Sequence, residues 1–527
     1  ETEQLSELLK YPDMRIRQKA QFELATRGSI GAEAFQVSIA QKENQLARVH
    51  GIWGLGQMGW KDLDQVEPLL ELLKDSDEEI IAQAIKILGD VKFKEAGSKL
   101  IPFLKHNNAR IQFFAAQALG RIEYVDAVQP LLDMLADNAD RDNYLRHAGV
   151  LALSRIGDEE AMSVIIGNPN KSLRIAAVLV LRRMQSAKVA AFLNDEDEYV
   201  VAEAARAIND DWSIEEAMPA LAETLSNADF TSEPLLRRCI NAALRVGRES
   251  DLDNLIAFTQ RENASSLLRG EALAAISNWT EPSVLDRVDG RRRSDISREG
   301  AIVQQKVEAV IPEFLKSKDP EILTSTAKIL GEIKLKSFNT ELRNLMNTNK
   351  SYQVRASALQ ALGSLNYEGM EEVMAQGMKD KNTEVRVAAV DMLSNIEIAA
   401  EDLPDIIRPI FKKGSHREQQ TMLGVLAEMP IAKSESVLSS LIDQATGNKI
   451  SPNVILDLME AVETTESESL IAELDKLKAL GYGVDAYKET LYGGRWWQGR
   501  DVFNNNPAAQ CVRCHAIKGA GGAVGPA

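Results

Sequence analysis

Cysteine is scarce in this chain. Three residues in 527 cannot build a disulfide framework; Cys511 and Cys514 stand together near the end, and Cys239 stands alone. No stretch approaches the ~18 uninterrupted apolar residues that a helical membrane span requires, and the opening residues lack the basic-then-apolar pattern of a secretory signal. Glu1 therefore reads as a processed or trimmed start. Basic charge is also in short supply: the net charge is −17. That argues against nucleic acid as a partner, because neutralising phosphates takes clustered lysine and arginine. No nucleophile–base pair, Walker loop or paired-carboxylate motif stands above the helical background, so no catalytic site is expected in this chain.

What is present is the composition of a folded protein, 45% hydrophobic and 26% charged. A length of 527 residues is too great for one core, so the chain is either several domains or an elongated array. Internal repetition decides for the array. Segments built from a capping residue, an apolar residue, arginine, then alanine and leucine at helical spacing, closing on glycine, recur over the first 400 residues, as in 13–28, 107–120, 351–363 and 383–396. The closing glycines Gly28, Gly59, Gly89, Gly120 and Gly157 are 31, 30, 31 and 37 residues apart, and Gly331, Gly363 and the equivalent Ile396 are 32 and 33 apart. A period near 31 fits two short antiparallel helices per unit.

In 351–363, Ser351 can cap a helix start, Val354, Ala358, Leu359 and Leu362 give a buried stripe, and Gly363 suits a left-handed C-cap. Partner segments such as the one around Val66, Pro68, Leu69 and Leu72 are amphipathic, with proline in the first turn. One unit cannot cover its own apolar face, so neighbours must stack into a solenoid whose inner helices line one face. The recurrent Ile16-Arg17, Val354-Arg355 and Val385-Arg386 pairs and the alanine-rich inner helices resemble HEAT repeats of the short bacterial kind, over roughly residues 3 to 470. Tetratricopeptide repeats have a similar period, but their Trp, Gly and Tyr landmarks are absent.

One stretch, about 279–300, breaks the rhythm: turn residues and charge without helical periodicity read as a loop inserted between repeats, either a binding element or a solvated connector. Gly54, Gly56 and Gly59 spell GxGxxG, but within a helical pattern and with no strand before them, so no dinucleotide site is expected. His50, His106, His147 and His416 lie on different repeats without ligand spacing. His50 and His147 either line the inner face or serve structure.

The tail differs from the body. From residue 491 onward, Arg495, Arg500, Arg513 and Lys518 face one acid, Asp501, so the tail carries about +3 and the rest about −20. It contains Cys511-Val-Arg-Cys514-His515, two thiols at the spacing that reaches both vinyl groups of a haem and an imidazole placed to fall beneath the iron. A zinc site would need further ligands, and a dithiol redox site a βαβ context. The residues Gly499, Arg500, Val502 and Phe503 before this motif, and Gly519, Gly521, Gly522, Gly525 and Pro526 after it, resemble the surroundings of the haem in class I cytochromes c. That resemblance implies one covalent haem c, with Cys511 and Cys514 as thioether anchors, His515 as proximal iron ligand, and the Pro526 carbonyl accepting from the other ring nitrogen. It also implies an exported, periplasmic location with possible membrane association. The sequence departs from the family by stopping twelve residues after His515 with no distal methionine, its last being Met459, so the native chain is expected to continue.

The expected fold is all-α: a HEAT-like α-solenoid over 1–470, a linker over 471–495, and over 496–527 the start of a truncated c-type cytochrome domain. Two functions follow. In the first, the scaffold presents the haem to a partner oxidoreductase for electron transfer, docking through the basic tail. In the second, the solenoid is itself the working part, a scaffold or recognition module contacting other subunits. A third reading is by resemblance alone, to the C-terminal portion of membrane-bound dehydrogenase-like quinoproteins. Trp496-Trp497 packs the linker or docks a sugar or a partner.

Overall fold

The computed structural model describes residues 1–396, 398–479, 483–517 and 520–521. Described residues up to the tail are helices and short connections, and the chain divides into two units, Glu1–Leu221 and Ala222–Ala527. In the first unit the inner helices are α1 (Met14–Ala25), α2 (Gln45–Gly59), α3 (Glu78–Asp90), α4 (Ala109–Ile122), α5 (Asn143–Ile156), α6 (Lys171–Met184) and α7 (Glu198–Asn209). In the second they are α8 (Glu233–Val246), α9 (Ser266–Ser277), α10 (Pro320–Glu332), α11 (Tyr352–Ser364), α12 (Thr383–Asp391), α13 (His416–Glu428) and α14 (Pro452–Thr464). Within each unit every inner helix packs on the next and is backed by an outer helix. Alanine, leucine, isoleucine and valine from both rows form the core, as stacking of half-covered repeats requires. The solenoid is therefore HEAT-like and all-α, and among the described residues no helix is long and apolar enough to cross a membrane.

The inner helices start as their sequence suggests. Asp13, Asn108 and Asn382 accept the backbone N–H two residues on, from Arg15 at 2.8 Å, Arg110 at 2.9 Å and Glu384 at 2.8 Å. Ser351 holds the same position, but its hydroxyl donates to Gln353 Oε1 at 2.6 Å instead.

Gly157 ends α5 in the left-handed conformation, φ 81°, as expected of a closing glycine, but other helix ends differ. Gly89, Gly120, Gly331 and Gly363 do not cap; they lie inside their helices. A Cβ on Gly89 would sit 2.5 Å from Ala118 Cα, one on Gly120 2.5 Å from Ala152 Cα, and one on Gly331 3.0 Å from Ala361 Cα. The glycine period therefore marks where the next inner helix passes across the backbone. The chain turns three residues later, at Lys92, Glu123, Lys334 and Asn366, which take φ between 51° and 61°. The following N–H then reaches back five residues, from Phe93 to Leu88 O at 2.9 Å and from Tyr367 to Leu362 O at 3.1 Å, the bond of a Schellman ending. The segment around Pro68 differs too, forming a run of 3₁₀ turns, Leu63–Lys74, with the proline inside.

The repeat arginine has a consistent task. Arg17 Nη1 donates to Tyr11 O at 2.7 Å and Arg355 Nη1 to Asn349 O at 2.9 Å, while Arg174 Nη1 reaches Asn168 O at 2.5 Å and Arg386 Nη1 reaches Asp380 O at 2.9 Å. In each case the acceptor lies six residues before the arginine, in the loop that enters the inner helix. The same guanidinium also meets an acid further along: Asp195 for Arg174, Asp380 for Arg355, Glu418 for Arg386. Each arginine thus ties a connection to the helix it leads into.

Candidate functional site

The inner row of the first unit has one face turned to solvent. His50, on α2, is not on it: only 2% exposed, it accepts from Arg17 Nε at 3.0 Å through Nε2 and lies 2.8 Å from Gln21 Oε1 through Nδ1. Burial, with Arg17 adding to it, lowers its pKa from 6.5 to about 4. Between those values the unfolded chain takes up a proton that the native state refuses, so stability should fall as pH drops from 6.5 toward 4. The full loss is about 3 kcal/mol at roughly 1.4 kcal/mol per pH unit. Urea unfolding across this range checks it: His50→Asn should flatten the slope, and an unchanged slope would place the titration elsewhere. His147 is exposed on α5 and His106 stacks on Phe103.

On the solvent side, Tyr144 in the first turn of α5 is 77% exposed, and Tyr199 occupies the same turn of α7, with Lys171 over its ring at 5.1 Å. Further along the helices, Arg155 on α5 lies between Arg121 on α4 and Arg183 on α6. Burial and these two cations lower its pKa. Arg121 is paired with Asp90 at 2.9 Å. Gly54, Gly56 and Gly59 lie within α2, Gly54 against Phe35 and Gly56 against Ile87, so the GxGxxG spelling is helix packing.

In the second unit the loop at 279–300 is ordered. Asp286 accepts from Arg293 Nε and Asn241 Nδ2, both at 3.0 Å, and Leu285 bridges Arg292. Arg298 sits over Trp279, 4.8 Å from the ring centroid, and donates to Leu244 O at 2.7 Å. This loop receives the tail: a Cβ on Gly290 would lie 3.0 Å from Val512 Cγ1.

The tail crosses the inner row before it reaches that loop. Arg495 Nε donates to Asp457 Oδ1 on α14 at 2.6 Å, and its Nη2 to Glu460 Oε2 at 2.9 Å. Asp457 is 2% exposed and also accepts from Gln420 Nε2 at 2.7 Å. Arg417 on α13 lies 5.2 Å from the Trp496 ring and 5.0 Å from that of Trp497, in the first turn of α15 (Trp496–Asn505), and pairs with Glu384 on α12. Arg495, expected to face a redox partner, is therefore tied to the acidic scaffold. Lys518 lies outside the described residues.

Cys511 and Cys514 open and close a single turn, α16 (Cys511–Cys514), and His515 leaves it extended, its N–H on Cys511 O at 3.0 Å. Among the described residues no three His, Cys, Asp or Glu side chains gather where they could hold a metal ion. Cys511, Cys514 and His515 belong to no such group. The covalent haem c, the c-type cytochrome resemblance and the electron-transfer function built on them are corrected accordingly. The physical reason is that five consecutive residues can spell a site without converging. This turn rests on α15 and on the loop at Gly290, and no group of metal-holding side chains is assembled around it among the described residues. Pro526 lies outside the described residues.

Comparison with known proteins gives HEAT repeats over residues 66–143 and 339–427. A bilin biosynthesis protein, PecE of Mastigocladus laminosus, is 29% identical over 152 residues, 28% of this chain and 54% of the relative. The chain thus spans about half the length of that curated relative. Among solved structures, Kap121p bound to Pho4p is similar at TM-score 0.49 and 12% identity over 90% of this chain and 55% of that one. Importin beta is similar at TM-score 0.41 and 14% identity over 91% and 80%.

Proposed function

We propose that this chain is a non-redox protein-interaction scaffold whose inner rows bind partner polypeptides. The observation that carries the reading is on the solvent side of the first unit's inner row, where Arg155 stands between Arg183 and the Asp90-paired Arg121 on three successive inner helices of a chain whose net charge is −17. Neighbouring like charges destabilise a fold, and a strip that keeps them is complementary to acidic side chains of a partner. Tyr144 and Tyr199, in the first turns of α5 and α7, add the amphipathic area that recognition surfaces favour.

A photo-crosslinking residue at Tyr144 in the full chain should yield discrete heavier adducts in its native cells, diminished by Arg155→Glu. The same residue at Val164, equally exposed beside the outer helix Glu159–Ser163, should yield none. Equal adducts from both positions would refute an inner-row binding face.

A further inference from the structure

We propose that the inner row of the second unit carries a receptor for polypeptide segments in which an arginine is followed by aromatic residues. The chain's own Arg495-Trp496-Trp497 occupies it until a partner protein's segment of the same chemistry displaces it. The proposal rests on the reading that inner rows bind polypeptide, and names the chemistry of the segment bound.

The receptor is built by three successive inner helices. Asp457 and Glu460 of α14 take the guanidinium of Arg495 at 2.6 and 2.9 Å. Asp457 is buried and held by Gln420 of α13, so its carboxylate is fixed before the arginine arrives. Arg417 of α13, anchored by Glu384 of α12, places its guanidinium over both indole rings. The Nε of Arg417 is buried without a hydrogen-bond partner, so the guanidinium is incompletely satisfied by the scaffold. Charge recognition is thus set beside aromatic recognition at the spacing of adjacent residues.

The approach to the seat is equally specific. Gly493 and Gly494 take φ of 80° and 86°, and a Cβ on Gly493 would lie 2.6 Å from Asn453 O. The backbone comes close enough that Gln420 Nε2 lies 3.4 Å from Gly494 O. Trp496 nonetheless remains 63% exposed. A segment pinned by its arginine while a large apolar ring stays in water is held by few contacts, the condition for exchange with a partner that buries more.

The test uses the full chain and a fluorescent peptide with the sequence of residues 491–502. Gly493→Ala forces a Cβ into Asn453 O and unseats the tail while keeping the recognition side chains Asp457, Glu460 and Arg417. Hydrogen exchange over 491–502 should accelerate, and the peptide should bind this variant about tenfold or more tightly than wild type, because the intramolecular competitor is gone. Adding Asp457→Asn should abolish that gain, as should changing the arginine of the peptide to glutamine. Equal binding to wild type and Gly493→Ala, or binding that survives Asp457→Asn, would overturn the receptor. Concentration-dependent dimerisation of Gly493→Ala in sedimentation would make the occupant a second copy and overturn the partner assignment. Crosslinks from Tyr144 in the first unit are read independently, so failure of either proposal is seen apart from the other.

Discussion

Arg174→Ala should cost the first unit about 3–5 kcal/mol, the usual penalty for breaking a buried ion pair from one side. The side chains of Arg174 and Asp195 are 4% and 3% exposed, with Nε to Oδ2 at 2.8 Å and Nη2 to Oδ1 at 3.2 Å. Removing the guanidinium strands the Asp195 carboxylate and frees the Asn168 carbonyl at the same time. The contrast is Arg15→Ala: Arg15 meets Asp13 at 2.5 Å, but its side chain is 85% exposed and solvent screens the pair. Its loss should be far smaller than that of Arg174. Urea unfolding of both variants separates burial from distance as the determinant. Equal effects would mean that the repeat arginine is not a structural clamp.

Gly89→Ala and Gly120→Ala should each destabilise, although alanine favours a helix by about 1 kcal/mol over glycine. The new methyl group would meet backbone at 2.5 Å, on Ala118 Cα and Ala152 Cα, and two helices would have to separate. Overpacking of this kind costs about 1–3 kcal/mol or more. Ala118 Cβ lies equally close, but the collision with Cα remains when Ala118 is trimmed to glycine, so that change should rescue Gly89→Ala only in small part. At Gly56 the obstacle is a side-chain atom, Ile87 Cγ2 at 2.6 Å. There Ile87→Ala should relieve Gly56→Ala. Double-mutant cycles on thermal unfolding read the difference as weak coupling for the first pair and strong coupling for the second.

The sequence made the repeats legible because caps and apolar stripes are local. Asp13, Asn108 and Asn382 act within two residues, and the alanine and leucine positions of α4 and α11 follow from helical spacing alone. The role of the glycines was not legible. A glycine at a helix end and a glycine under a crossing helix look alike in one dimension, and the left-handed turns fall on Lys92, Glu123 and Lys334, which carry no sequence signal for that conformation. The repeat arginine was visible, but its acids stand 21 to 32 residues away. Distance in sequence also hid Asp457 as the partner of Arg495. At Cys511, Cys514 and His515 the failure is of another kind. The residue types are those of a known chemistry, yet among the described residues they belong to no group of metal-holding side chains.

The tail fixed at Asp457 has a kinetic meaning for any competitor. A segment tethered to its own seat is present there at an effective concentration on the order of millimolar, far above that of most free proteins. A rival of equal intrinsic affinity would therefore capture few molecules. It succeeds by bringing further contacts, such as burial of the exposed Trp496 position, or by being held at a second point on the same unit. The seat on α13 and α14 thus behaves as a threshold. Weak or solitary arginine-aromatic segments are filtered out, and only a ligand anchored at a second point gains entry.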